Sequence, residues 1–399
     1  MSLHLNAVMT QQKKQANYAL VNDYQGLADL CNTLRDSEWL AVDTEFEREK
    51  TYFPELCLVQ LSDGRDVAIV DPISIDNLSP LKELLYKASI TKIFHAARQD
   101  LEIFYFLWGS LPTNIFDTQI AAPLLGYDEQ AGYGKLVQNM LGVSLEKAHT
   151  RTNWKKRPLS KDQLQYAADD VIYLAKLYPL IRDSLENCGR KDWLGAELDN
   201  LSDPALYQLD PEQYLKRIKN TRKLNSTKRS LLKKLVSWRE EVARDENKPR
   251  NWILRDEALL DIASLSPREK SDLGSLKALK SGDIGRHSES ILQLCRSAQA
   301  EPVESSPAKH EQRSLTAEEK TLRDALSVVV SVIAIQNQLN PKVLAPQKEL
   351  EKFILKQKPC LLTAGWRKEL LEEVLTQFMH GNSALIINSG MPEIKKMKN

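Results

Sequence analysis

At 399 residues the chain is longer than one ordinary hydrophobic core organises, so two or three domains are the starting expectation. Hydrophobic residues at 42% and charged residues at 27% are normal for a soluble globular protein, which argues against wholesale disorder and against a membrane protein. The net charge of +1 neither implies nor excludes nucleic acid; only its distribution carries information.

The first residues, MSLHLNAVMTQQKKQ, lack a basic start, a sustained apolar block and a small-residue cleavage site, so a cytoplasmic protein is expected. Residues 37–71 then hold three β-type runs, EWLAVDTEF, ELCLVQLS and DVAIVD. A Pro-containing loop and the turn SDGRD separate them, and the pattern predicts an antiparallel meander. Beyond it the period changes. LSPLKELLYKA reads as a helix, KIFHA as a short strand, RQDLEIFYFLWG as a helix, and IFDTQIAAPLLGY repeats the strand-to-helix switch. Strands joined by crossover helices imply an α/β domain with a mixed sheet.

Ser160 followed by Gln163 is a capping-box pattern, and the helix it opens runs to about residue 187. An α/β domain over residues 1–200 is therefore expected. Residues 208–298 show amphipathic helical patterns and no convincing strand, which predicts an all-α module. Residues 299–314 are rich in Pro, Ser and charge and read as a linker. A second helical module follows over 315–390, and KKMKN is expected to fray. Its apolar run, ALSVVVSVIAI, is well short of the roughly 20 residues that a spanning helix needs and reads as a core helix. Five cysteines, scattered and odd in number, argue against a disulfide framework or a CxxC zinc site.

Two stretches are locally basic. Between Gln213 and Arg239 there are ten Lys or Arg and no Asp or Glu, and KAHTRTNWKKRPLSK at 147–161 sets a tryptophan among positive charges. Taken singly, either reads as a solvated face. WLAVDTEFERE, residues 39–49, raises a sharper question: an apolar strand ends in Asp43 and Glu45, which a period of two puts on one face. Like charges side by side at a strand cost free energy unless a cation lies between them. An isolated DxE is usually just a solvated strand end. Tyr166 and Asp170 in YAADD share one face of the capped helix, and Asp100 sits in the first turn of the helix after KIFHA.

In this order the segments resemble the DEDD superfamily of 3′-to-5′ exonucleases, in its tyrosine branch, and within it the ribonuclease D family. The motifs are DTEFERE, HAARQDLEIF, DTQIAAPLLGY and RTNWKKRPLSKDQLQYAADDVIYL, spanning roughly residues 20–190. SLLKKLVSWREEVARDENKPRNWILRDEALLDIASLSP is similar to the helicase-and-RNase-D C-terminal (HRDC) domain. NPKVLAPQKELEKFI with LLTAGWRKELLEEVLTQFMHGNSAL is similar to a second, divergent copy. The resemblance implies an α/β ribonuclease H-like (DnaQ-like) exonuclease domain with a mixed sheet, followed by two all-α HRDC-type domains.

It also implies a metal-dependent 3′-to-5′ exoribonuclease with Asp43, Glu45, Asp100, Tyr166 and Asp170 as catalytic residues, releasing nucleoside 5′-monophosphates. The four acids, which offer only oxygen, would hold two divalent ions, Mg²⁺ or Mn²⁺. Asp43, Glu45 and Asp170 would serve the ion nearer the nucleophile, with Asp43 bridging and Asp100 serving the second. Tyr166, with an ordinary pKa near 10, would orient the attacking water rather than act as a base. Phe46, Gln60 and His95 are neighbours that would position terminal nucleotides. For Phe46 a core position competes with base stacking, and for His95 a satisfied ring at a strand end competes with a phosphate contact. Lys155, Lys156 and Arg157 would track the phosphates of a single strand.

The substrate class implied is RNA, precursor tRNA and other structured RNA with 3′ extensions, acted on by a monomer without a membrane or a nucleotide cofactor. Two rivals use the same residues: a DNA exonuclease of the Werner type, and a nucleic-acid-binding protein with a degenerate nuclease domain. No GxxxxGK[ST] phosphate loop is present to mark a helicase motor.

Overall fold

The strands expected around residues 39–70 form the middle of a six-stranded mixed sheet in the computed structural model, which describes residues 17–145, 152–208, 211–221, 224–300 and 313–397. The first residues, the start of the 147–161 loop, Arg222 and Lys223 in the basic run, and most of the linker lie outside the described residues.

The chain begins with β1 (Ala19–Val21), α1 (Tyr24–Leu34), β2 (Trp39–Glu47), β3 (Glu55–Ser62) and β4 (Val67–Val70). It continues through α2 (Ser79–Tyr86), β5 (Thr91–Phe94), α3 (Arg98–Trp108), β6 (Ile115–Asp117), α4 (Thr118–Ala121), α5 (Tyr133–Leu141) and α6 (Lys161–Asn187). The sheet order is β1-β4-β3-β2-β5-β6. β3 and β4 are antiparallel, as a meander requires, while β1 pairs parallel with β4 and β5 parallel with β2 and β6. β1, only three residues long, carries too little pattern to be read from sequence.

The turn between β3 and β4 depends on Gly64. Its φ of +89° is unfavourable for L side chains, and a Cβ there would meet the Trp39 ring at 2.9 Å. β2 is central, and Leu40, Ala41 and Val42 are all buried because both faces of the strand are covered. α6 packs through Leu164, Ala167 and Ala168 onto Cys57, Leu58 and Ile69, with Trp154 in the same cluster. The two alanines let the helix backbone come close to the sheet. Both halves of the Ser160–Gln163 capping box are formed, and α6 continues through Pro179 to Asn187.

Contacts divide the chain into two units. The first comprises residues up to Phe46, Leu56–Asp100 and Pro112–Leu194; the second comprises Glu47–Glu55, Leu101–Leu111 and everything from Gly195 onward. Two segments from within the expected first domain thus belong with the helical part of the chain. Tyr52 shows why: it is buried with Ala243 and Ile253, and its backbone N–H donates to Asn247 Oδ1 at 3.1 Å.

After α7 (Lys191–Leu198), the helical part contains α8 (Pro211–Arg217), α9 (Ser226–Asp245), α10 (Arg250–Ile253), α11 (Asp256–Leu265), α12 (Lys270–Gly274) and α13 (Ser281–Ala300). Leu231, Leu232, Leu235 and Val236 of α9 meet Leu259 and Ile262 of α11 and Ile291 of α13. Then follow α14 (Ala317–Gln336), α15 (Pro341–Leu344), α16 (Gln347–Ile354) and α17 (Gly365–Met379). The last part is not purely helical. β7 (Ser383–Asn388) and β8 (Met391–Lys396) form an antiparallel hairpin, so the expected frayed tail is a strand as far as Lys396.

Candidate active site

Pairing between β2 and β5 ends at Ala41 opposite Ile93, and beyond it β2 presents Asp43 and Glu45. Asp170 comes to the same place from α6, four residues past Tyr166. One oxygen from each of Asp43, Glu45 and Asp170 lies within 4.8 Å of the other two. Three carboxylates this close repel one another, and burial intensifies the repulsion. Burial lifts Asp43 to about 7. Burial, with the charges of Asp43, Asp170 and Asp100 added, lifts Glu45 to about 10. Asp170 is raised by burial and then by Asp43.

Asp100 is buried in the first turn of α3. Its carboxyl is raised by burial and then by Asp43, and Thr44 Oγ1 donates to its Oδ1 at 2.5 Å. Thr44, on the opposite face of the strand from Asp43 and Glu45, therefore has a task that no sequence pattern announced. Asp117 anchors the turn before α3. Its Oδ1 accepts from Ala96 N at 3.0 Å and Gln119 N at 2.7 Å, and its Oδ2 accepts from Ala97 N at 2.8 Å. This holds Ala96 at φ +63°, a conformation uncommon for a residue with a Cβ. Asp117 thus caps α4 and braces the turn before α3 at once.

The Tyr166 phenol is raised by burial and then by Asp170, Glu45 and Asp43, and it remains protonated at neutral pH. Tyr133 was not singled out by the sequence. Its hydroxyl donates to the backbone carbonyl of Asp170, and its ring lies 5.3 Å from that of His95. Asp169, beside Asp170, accepts from Gln165 Nε2 at 2.8 Å and is outside the acid trio.

The neighbours expected to touch substrate fare unequally. Phe46 is half-buried at the end of β2, and Lys155 and Lys156 are exposed. Gln60 is fully buried on an internal strand. Its amide atoms have no hydrogen-bond partner among the described residues. Arg157 is not a free phosphate contact: its Nε and Nη2 each reach Asp71 at 2.6 Å, and Nη2 also donates to the Cys57 carbonyl at 3.0 Å. Burial raises the Asp71 carboxyl, but Arg157 outweighs it and the net shift is downward. His95 is pushed by burial down to about 4, so it is neutral near pH 7, and its Nδ1 lies 3.0 Å from Thr118 Oγ1. Its buried Nε2 has no hydrogen-bond partner among the described residues. Arg239, counted in the basic run, is buried against Asp256 at 2.7 Å and adds no surface charge.

Residues 18–186 match the 3′-5′ exonuclease family, and residues 228–295 match the HRDC domain. The ribonuclease D of Sphingobium indicum is 37% identical over 381 residues, covering 94% of this chain and 97% of that protein. The ribonuclease D of Gluconacetobacter diazotrophicus is 36% identical, covering 93% of each chain. The chain belongs to the ribonuclease D family. The crystal structure of Escherichia coli RNase D, described as an exoribonuclease involved in structured RNA processing, superposes with a TM-score of 0.79 at 31% identity. That match covers 92% of this chain and 99% of the other.

Family membership makes the chain a 3′-to-5′ exoribonuclease, which removes the rival of a degenerate binding protein. The acid trio is the group among the described residues that offers a ribonuclease D member a metal site. No helix among the described residues is long and apolar enough to cross a membrane.

Proposed function

We propose that this ribonuclease D family member hydrolyses RNA from its 3′ end with two divalent metal ions, releasing nucleoside 5′-monophosphates, and that it matures the 3′ ends of precursor tRNA and other structured RNA. The observation that carries the reading is the convergence of Asp43, Glu45 and Asp170 within 4.8 Å under burial that penalises their charge. A donor set of oxygens alone fits hard cations, magnesium or manganese.

When bound, such cations offset charge at the phosphoryl oxygens and acidify water. The residues do the positioning. Asp43, Glu45 and Asp170, whose oxygens converge, would hold the ion nearer the nucleophile, with Asp43 serving both, and Asp100, hydrogen-bonded by Thr44, would serve the second. Tyr166, protonated at neutral pH, aligns the attacking water through its hydroxyl. Lys155 and Lys156 meet phosphates of the incoming strand.

RNA is favoured over DNA by the ribonuclease D relatives, which span nearly the whole chain. Structured RNA is favoured by the description of the Escherichia coli enzyme. Sequencing RNA 3′ ends after incubation with and without magnesium, beside matched DNA oligomers, reads polarity, substrate class and stopping point together. Stepwise shortening of RNA from the 3′ end, absent without metal and absent in Asp43→Ala, is expected. Equal shortening by wild type and Asp43→Ala would end the reading.

A further inference from the structure

We propose that a cavity of about 610 Å³ in the helical unit binds one unpaired nucleotide of the RNA substrate, with its base against Phe53, Tyr105 and Phe106. The volume falls within the range that small-molecule sites occupy. The proposal rests on the RNA-degrading reading and adds to it a subsite away from the acids.

The rings come first. Phe53 and Phe106 meet edge to face, with centroids 4.9 Å apart and planes at 65°, so the edge of one ring rests on a single face of the other. Both are half-buried, as is Tyr105, and together they open apolar surface onto the cavity. Aromatic walls of this kind suit a flat heteroaromatic partner, and stacking tolerates any base. Tyr105 is held in place: its hydroxyl accepts from Gln208 Nε2 at 3.0 Å.

The polar groups narrow the choice. Glu240 lines the cavity but is committed elsewhere: it is buried, accepts from Tyr52 OH at 3.3 Å, and lies 3.4 Å from Arg239 and 3.6 Å from Arg250. Glu241 and Arg244 are exposed, one helical turn apart on α9, and no side-chain hydrogen bond or ion pair among the described residues engages either. One acid beside one base offers a bare phosphate no net attraction and leaves an apolar ligand with two unused charges. A nucleotide satisfies both, because amino or imino N–H groups on its base donate to Glu241 and its phosphate accepts from Arg244.

Continuity with the rest of the chain supports RNA as the occupant. Tyr105 and Phe106 lie on α3, the helix that carries Asp100, and Phe53 lies in the loop after β2, the strand that carries Asp43 and Glu45.

The test uses the full chain and RNA oligomers carrying 2-aminopurine at successive positions from the 3′ end, bound without divalent metal, so that stacking lowers fluorescence without cleavage. One interior position is expected to be quenched well below its neighbours, and Phe106→Leu should abolish that quench and weaken binding roughly tenfold. Arg244→Gln and Glu241→Gln, both at the surface, should weaken binding several-fold even if Phe106→Leu misfolds. Uniform fluorescence at all positions in wild type overturns the proposal. So does unaltered affinity in both surface variants. Wild-type degradation of unlabelled RNA with manganese is measured alongside: degradation without a quenched position removes the subsite alone, whereas no degradation removes the RNA reading beneath it.

Discussion

Tyr166 and Thr44 both act on groups they do not resemble. Tyr166 keeps its proton because burial and three carboxylates oppose a phenolate, which is why the proposed mechanism has it orient a water and not act as a base. Tyr166→Phe should lower kcat by roughly a hundredfold through misplacement of the nucleophile. Manganese binding, measured by calorimetry, should be unchanged. Thr44→Val removes the hydroxyl that fixes Asp100 while keeping the shape of the side chain, so it should weaken metal binding and activity without disturbing β2. Wild-type manganese affinity in Thr44→Val would contradict that role. Neither residue stands apart in the sequence: Thr44 is a β-branched residue in a strand, and a helical tyrosine is usually core. Only the family resemblance carried by the motifs implied a function for Tyr166 in advance, and nothing implied one for Thr44.

At the scale of the element, the capping box is the strongest local signal and the one best matched by the backbone. Ser160 Oγ accepts from Gln163 N at 3.2 Å, and Gln163 Oε1 accepts from Ser160 N at 2.8 Å. Ser160→Ala should cost about 1 kcal/mol, read from denaturant unfolding, with activity kept if α6 stays in place. Arg239 and Glu240 show the opposite case. In sequence they are two charges on an amphipathic helix, yet both are buried, with Asp256, Tyr52 and Arg250 as partners. Removing one member leaves the others uncompensated, and Glu240→Ala should destabilise by about 3 kcal/mol. The terminal hairpin was missed for a related reason: β7 and β8 bury little on either face, so they carry no clean period of two.

Across the whole molecule, the acid cluster links stability to pH and to metal. Asp43 and Glu45 are raised above their ordinary 3.8 and 4.5 to about 7 and about 10, so over that range the folded chain holds more protons than the unfolded one. Stability of the metal-free protein therefore falls as pH rises from about 4, and the loss is complete only above the folded values. Thermal melting without metal should drop between about pH 5 and about pH 9, and manganese should restore more at the upper end than at the lower, because it binds the ionised form. Asp43→Asn should flatten both trends; unchanged pH dependence in that variant would show that the cluster is not their source. Sequence by itself determined the longer strands of the first domain and the capped helix, since period and caps are local properties that survive in one dimension, and the five candidate site residues came from the family resemblance of the motifs that carry them. Tertiary structure decided burial and pairing: it paired Arg157 with Asp71 and Arg239 with Asp256, buried Gln60, gave Thr44 and Asp117 their partners, and joined residues 47–55 and 101–111 to the helical unit. Burial and pairing depend on segments far apart along the chain, and no local pattern encodes them.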